Sequence, residues 1–67
     1  MKIKTIERSE GMAKVFVDVD GKEAIVEFAP EEREGSDITL NGEILSTEDE
    51  LDLWLEIDTF AREAVES

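Results

Sequence analysis

Met12-Ala13-Lys14-Val15-Phe16-Val17-Asp18-Val19-Asp20-Gly21-Lys22-Glu23-Ala24-Ile25-Val26-Glu27-Phe28, residues 12–28, decides the fold. Apolar and polar side chains alternate on both sides of Asp20-Gly21, a dipeptide that accepts the positive φ angles of a two-residue type I′ hairpin turn. A turn there sets Val19 against Lys22, Asp18 against Glu23, Val17 against Ala24, Phe16 against Ile25, Val15 against Val26 and Lys14 against Glu27. Successive side chains point to opposite faces, so one face carries Val15, Val17, Val19, Ala24, Val26 and Phe28 and is the expected core face. The other carries the Lys14/Glu27 ion pair and Phe16 beside Ile25, with Met12 close by. An aromatic side chain across from a β-branched one contributes about 0.2–1 kcal/mol. The pair reads either as ordinary sheet stabilisation or as a small exposed patch used for contact.

Working outward, Lys2–Glu7 has the composition of a first strand. Its Ile3 and Ile6 have the wrong spacing to share a face unless a bulge intervenes. Pro30 ends the third strand because it lacks the N–H a ladder needs, and Glu31-Glu32-Arg33-Glu34-Gly35-Ser36 reads as a charged loop. Asp37–Leu40 is the next strand, Asn41-Gly42 a second turn, and Glu43-Ile44-Leu45 a short return strand or an extended lead-in. Thr47 with Glu50 fits a capping box, with Ser46 and Asp49 the near alternative. The helix that follows should reach Val65, about 18 residues and about 27 Å. The fold expected is α+β: an antiparallel sheet of four strands, five if Glu43–Leu45 pairs, with one C-terminal helix packed on it, order ββββα, in a single domain over residues 1–67.

On that helix, steps of about 100° place Leu51, Trp54, Leu55, Ala61 and Val65 on one side and Leu53, Ile57, Phe60 and Ala64 on the adjoining side. Together they span about 220°, whereas a helix lying on one sheet face needs an apolar stripe of little over about 100°. Either the sheet and charged loop wrap both stripes, or the one made of Leu53, Ile57 and Phe60 is an interface for a homodimer or a partner.

The remaining arc holds Glu48, Asp49, Asp52, Glu56, Thr59, Glu63 and Glu66 with no Lys or Arg among them. Like charges four apart cost a helix a few tenths of a kcal/mol, about what a Glu-to-Lys pair would contribute. Glu63 and Glu66 also stand at the negative end of the helix dipole. Helix stability does not explain this pattern. It reads either as a solvated face or as an anionic surface, with Glu31, Glu32 and Glu34 of the loop adjoining, that steers towards a basic partner.

The net charge of −12 over 67 residues sharpens the point. Residues 1–30 hold five cations against six carboxylates, while residues 31–67 hold Arg33 and Arg62 against thirteen. Phosphate contacts need clustered Lys and Arg, so direct binding to nucleic acid is not expected. A groove on another protein that itself binds nucleic acid is one basic site this surface would fit. Carboxylates four apart on a helix lie about 6 Å apart along the axis, and phosphates on one DNA strand about 3.4 Å apart. A single row is thus about half as dense as a strand, and the loop carboxylates or a second copy would bring it closer.

Other chemistry is poorly served. With no Cys and no His there is no disulfide, no thiol or imidazole and no zinc site of the usual kind. Asp18-Val19-Asp20-Gly21 fails as a calcium loop, because Gly at the sixth position would put Phe16 at the first. Paired carboxylates abound, but a chain this short offers no deep cleft and no apolar pocket to raise one pKa selectively. No enzyme activity and no cofactor are expected. The longest large-apolar run, Leu53-Trp54-Leu55, is far below the about 20 residues of a membrane span. No apolar stretch follows the basic start Met1-Lys2-Ile3-Lys4, so a cytoplasmic location is expected.

In size and charge the chain is similar in style to small phage-encoded inhibitors of nucleic-acid-binding machines, anti-CRISPR and DNA-mimic proteins among them. That likeness rests on no motif and transfers no residue roles. The function expected is therefore non-enzymatic: an inhibitor or adaptor whose acidic helix face occupies a basic site on a partner protein. The alternative is a small homodimeric structural or accessory domain in which the charge serves solubility alone.

Overall fold

Three X-Gly dipeptides turn the chain. In the computed structural model, which describes residues 1–31 and 35–66, Glu10-Gly11, Asp20-Gly21 and Asn41-Gly42 all have positive φ at both positions. They join β1 (Lys2–Ser9) to β2 (Met12–Val19), β2 to β3 (Lys22–Phe28), and β4 (Asp37–Leu40) to β5 (Glu43–Ile44). The five strands form an antiparallel sheet in sequential order, and a single helix, α1 (Leu51–Glu66), follows and packs across one face. The expected α+β architecture is present, with the fifth strand realised.

The β2–β3 hairpin has the expected register, from Val19 opposite Lys22 through Lys14 opposite Glu27 and on to Ala13 opposite Phe28. The spacing of Ile3 and Ile6 is resolved by an irregularity in β1: Ile3 pairs with Val17, the register shifts between Ile3 and Thr5, and Ile6 then pairs with Val15. The extra residue, Lys4, turns to the opposite face and donates a hydrogen bond from Nζ to Glu23 Oε2 at 2.9 Å. That bond, with the nearby carboxylate charge, holds the Lys4 ammonium above the ordinary lysine range. β1 also runs to Ser9, beyond the expected end at Glu7, because Glu10-Gly11 closes a hairpin with β2.

The core lies between sheet and helix. Val15, Val17, Ala24 and Val26 of the sheet and Ile57 and Ala61 of the helix are fully buried, closed by Ala13, Val19, Phe28, Ile38, Leu45 and Val65. Alanines at 13, 24 and 61 shorten the distance the larger aliphatic groups must fill, so one short helix covers the central strands.

The helix differs from expectation at its start. Ser46 Oγ accepts hydrogen bonds from the backbone N–H of Glu48 and of Asp49 at 3.2 and 3.3 Å, and the Glu50 N–H donates to the Ser46 carbonyl at 3.1 Å. Residues 47–49 therefore form a turn capped by Ser46, and the helix proper opens when the Trp54 N–H donates to the Glu50 carbonyl at 2.9 Å. No such bond to Thr47 is formed, so the near alternative for the cap is the one adopted. The 16 residues of α1 span about 24 Å.

Candidate functional site

The helix presents a narrower apolar surface to the sheet than its sequence offers. The sheet takes the line between the two expected stripes: Ile57, Ala61 and Val65 are buried, with Trp54 half-buried beside them. Ile57 has no exposed surface and cannot serve as a contact residue for a partner. Leu53 and Phe60, the other members of the expected interface, are half-buried and packed against the core. The uncovered apolar side chains are instead Leu51 and Leu55, each 47% exposed. Phase alone does not choose between the two flanks, since Leu51 and Leu55 stand about 80–120° from Ala61 on one side and Leu53 and Phe60 about 80–100° on the other; it is the second flank that the core extends beneath.

The exposed acidic residues of the helix lie next to these leucines, on the side turned furthest from the sheet. Asp52, Glu56 and Glu63 are exposed on the helix, and Glu48 and Asp49 are exposed on the turn leading into it. Asp52 and Glu56 stand about 6 Å apart along the axis, and Glu56 and Glu63 about 10 Å. Glu31, also exposed, lies in a depression with Arg8, Pro30 and the Glu10-Gly11 turn, to which no residue of the helix contributes. Glu32 and Glu34 lie outside the described residues. Between the acids, Leu55, Thr59, Phe60 and Met1 line a shallow apolar dent whose rim carries Glu56 and Glu63. The surface is thus a negative ridge interleaved with two leucines and a dent. Among the described residues no three acidic groups converge closely enough to hold a metal ion.

Two cations have roles that residue order did not reveal. Arg8 of β1 donates from Nη2 to the Val65 carbonyl at 2.8 Å, placing a positive charge at the C-terminal end of a helix whose own last turn has none. Arg62 bonds the Asp58 carboxylate from Nε at 3.0 and 3.1 Å and donates from Nη2 to Ser36 Oγ at 2.9 Å. Ser36 donates in turn to Asp58, and the Arg62 guanidinium lies over the Phe28 ring, 4.6 Å from its centre. This cluster ties the segment before β4 to the helix. The i,i+4 spacing of Asp58 and Arg62 was the available signal for it. Arg8 belongs to the sheet, and Arg62 stands on the flank of the helix between the angular positions of Leu51 and Leu55 with its charge paired to Asp58, so the row of Asp52, Glu56 and Glu63 keeps a single sign.

No helix among the described residues is long and apolar enough to cross a membrane. Comparison with protein-family models, with curated proteins and with solved structures gives no match.

Proposed function

We propose that the protein is a non-enzymatic binding protein, an inhibitor or adaptor that lays the acidic face of α1 into a basic site on another protein. The observation that carries this reading is that Asp52, Glu56 and Glu63 are exposed on the outward side of α1 with no cation between them, preceded by exposed Glu48 and Asp49 on the turn and beside half-exposed Leu51 and Leu55. Charge of one sign raises the association rate with a basic groove, and the two leucines supply apolar area that a purely solubilising face has no use for. A groove that binds nucleic acid has the required charge, and the DNA-mimic and anti-CRISPR style of inhibition is the setting such a surface suits.

The test is capture of a partner from host lysate at low salt, followed by affinity measurement with the purified partner. Asp52→Lys combined with Glu56→Lys is expected to weaken binding at least about tenfold. The double substitution keeps a like-charge i,i+4 pair, now two lysines, and removes the acidic residue of the helix's first turn while lowering the net negative charge, so thermal stability should change by no more than about 1 kcal/mol. Duplex DNA is expected to compete for the same partner site. Affinity left unchanged by the double substitution would remove the charge mechanism.

A further inference from the structure

We propose that the face of the sheet opposite the helix joins two copies of this chain back to back. The strand registers place Thr5, Phe16, Ile25, Thr39 and Ile44 directly opposite one another, in one row crossing all five strands. All five lie on the face away from the helix. Among the described residues no helix or strand covers this row: the Lys14 ammonium lies over the Phe16 ring at 5.5 Å, Phe16, Ile25 and Thr39 are half-buried, and Ile44 at the end is 87% exposed. The outer face of an antiparallel sheet is ordinarily polar. Here its central row is aromatic, β-branched aliphatic and threonine, the composition of the inner layer of a two-sheet sandwich.

Charge argues for a second copy as the occupant. In a chain of net charge −12, a second copy approaches most readily where cations interrupt the carboxylates, and on this face Lys2, Lys4 and Lys14 stand among Glu7, Asp18, Glu23, Glu27 and Asp37. Lys14 pairs with Glu27 at 3.8 Å on one side of the row, and Lys4 with Glu23 at 2.9 Å on the other. Lys2 stands opposite Asp18, and Glu7 opposite Lys14. A two-fold axis along the row sets Phe16 and Ile25 against their own copies, Lys14 over the partner's Asp18 and Glu7 over the partner's Lys2. Glu27 then faces the partner's Glu23, each already held by a lysine of its own chain.

Five strands about 4.8 Å apart, the longer ones about 25 Å long, give each copy a face of about 450 Å² in projection. With side-chain relief the pair buries about 1,000 Å², the lower bound for specific association, so the dimer is weak and reversible. It leaves both acidic helices facing outward. Because those helices lie on the far side of the sheet, this inference and the proposed function fail independently.

Sedimentation equilibrium over a roughly hundredfold range of concentration tests it, at low salt and at about 1 M salt, where charges are screened beyond about 3 Å. The mass is expected to rise from 7.5 kDa towards twice that value, more readily at high salt. Ile25→Lys with Ile44→Lys is expected to weaken association at least about tenfold, and Leu55→Lys on the opposite side to leave it unchanged. Ile44→Lys alone, at a site too exposed to affect folding, should weaken it about threefold. A mass of 7.5 kDa under every condition overturns the proposal, as does a dimer that survives both substitutions or is lost on Leu55→Lys.

Discussion

Glu10 has a φ of 47°, in a region that costs an L-residue without a short polar side chain about 1 kcal/mol or more. Asp20 and Asn41, at φ 51° and 54°, occupy equivalent positions in the other two hairpins and suit them. Glu10→Asn is therefore expected to stabilise the protein by about 0.5–1 kcal/mol, a rise in Tm of about 4 °C in a domain this small. Thermal unfolding followed by circular dichroism checks it, and an unchanged or lower Tm would show that the Glu10 side chain makes a compensating contact. This turn was the hairpin missed in the sequence, because Glu rarely takes such a φ and Glu-Gly is not read as a turn. Ser46 illustrates the opposite case. Ser and Thr are adjacent, both with an acidic residue three positions on, and the chemistry of the two is too close for pattern alone to choose.

At the scale of the element, α1 shows how packing selects among the faces a helix offers. Its apolar arc is wider than the sheet covers: Ile57, Ala61 and Val65 are buried, Leu53, Trp54 and Phe60 pack half-buried against the core, and Leu51 and Leu55 are left about half exposed. The acids of its last turn are offset from outside by Arg8 on β1, whose contact with the Val65 carbonyl requires the two elements to meet. At the other end the cap assignment yields a separable prediction. Ser46→Ala should cost about 0.5–2 kcal/mol by removing the acceptor for two backbone N–H groups, while Thr47→Ala should cost little. Chemical denaturation of the two variants decides the matter, and equal losses would contradict the assignment.

For the molecule as a whole, the charge distribution is the largest influence on stability after the core. A net charge of −12 on 67 residues repels itself in the folded state, and the ridge on α1 concentrates that repulsion. Added salt screens it, so Tm is expected to rise by several degrees between very low ionic strength and about 0.5 M, where the Debye length falls to about 4 Å. The measurement belongs at protein concentrations where the mass is that of one chain. A flat or falling Tm would mean that Lys4–Glu23, Lys14–Glu27 and Arg62–Asp58 outweigh the repulsion. On the pH axis, Lys4 is raised above the ordinary lysine value, so its contribution is complete at neutral pH and is lost only as pH climbs through the strongly alkaline range. Neutral-pH stability is therefore insensitive to its titration.

The alternating residues around Asp20-Gly21, the spacing of Ile3 and Ile6 and the second turn at Asn41-Gly42 determined the β2–β3 and β4–β5 hairpins and the need for a bulge in β1, because strand pairing and turn conformation are local and periodic properties. The single-signed arc of acids on the helix was legible for the same reason. Which apolar side chains of that helix remain uncovered, Leu51 and Leu55 in place of Leu53, Ile57 and Phe60, was decided only by tertiary structure. Rotation of a helix about its own axis is set by how closely two surfaces can approach, and residue order along one chain carries that information only weakly. The same holds for Arg8 at the helix terminus, Ser36 against Asp58 and Arg62, and the five-strand row, each of which depends on residues that folding alone brings side by side.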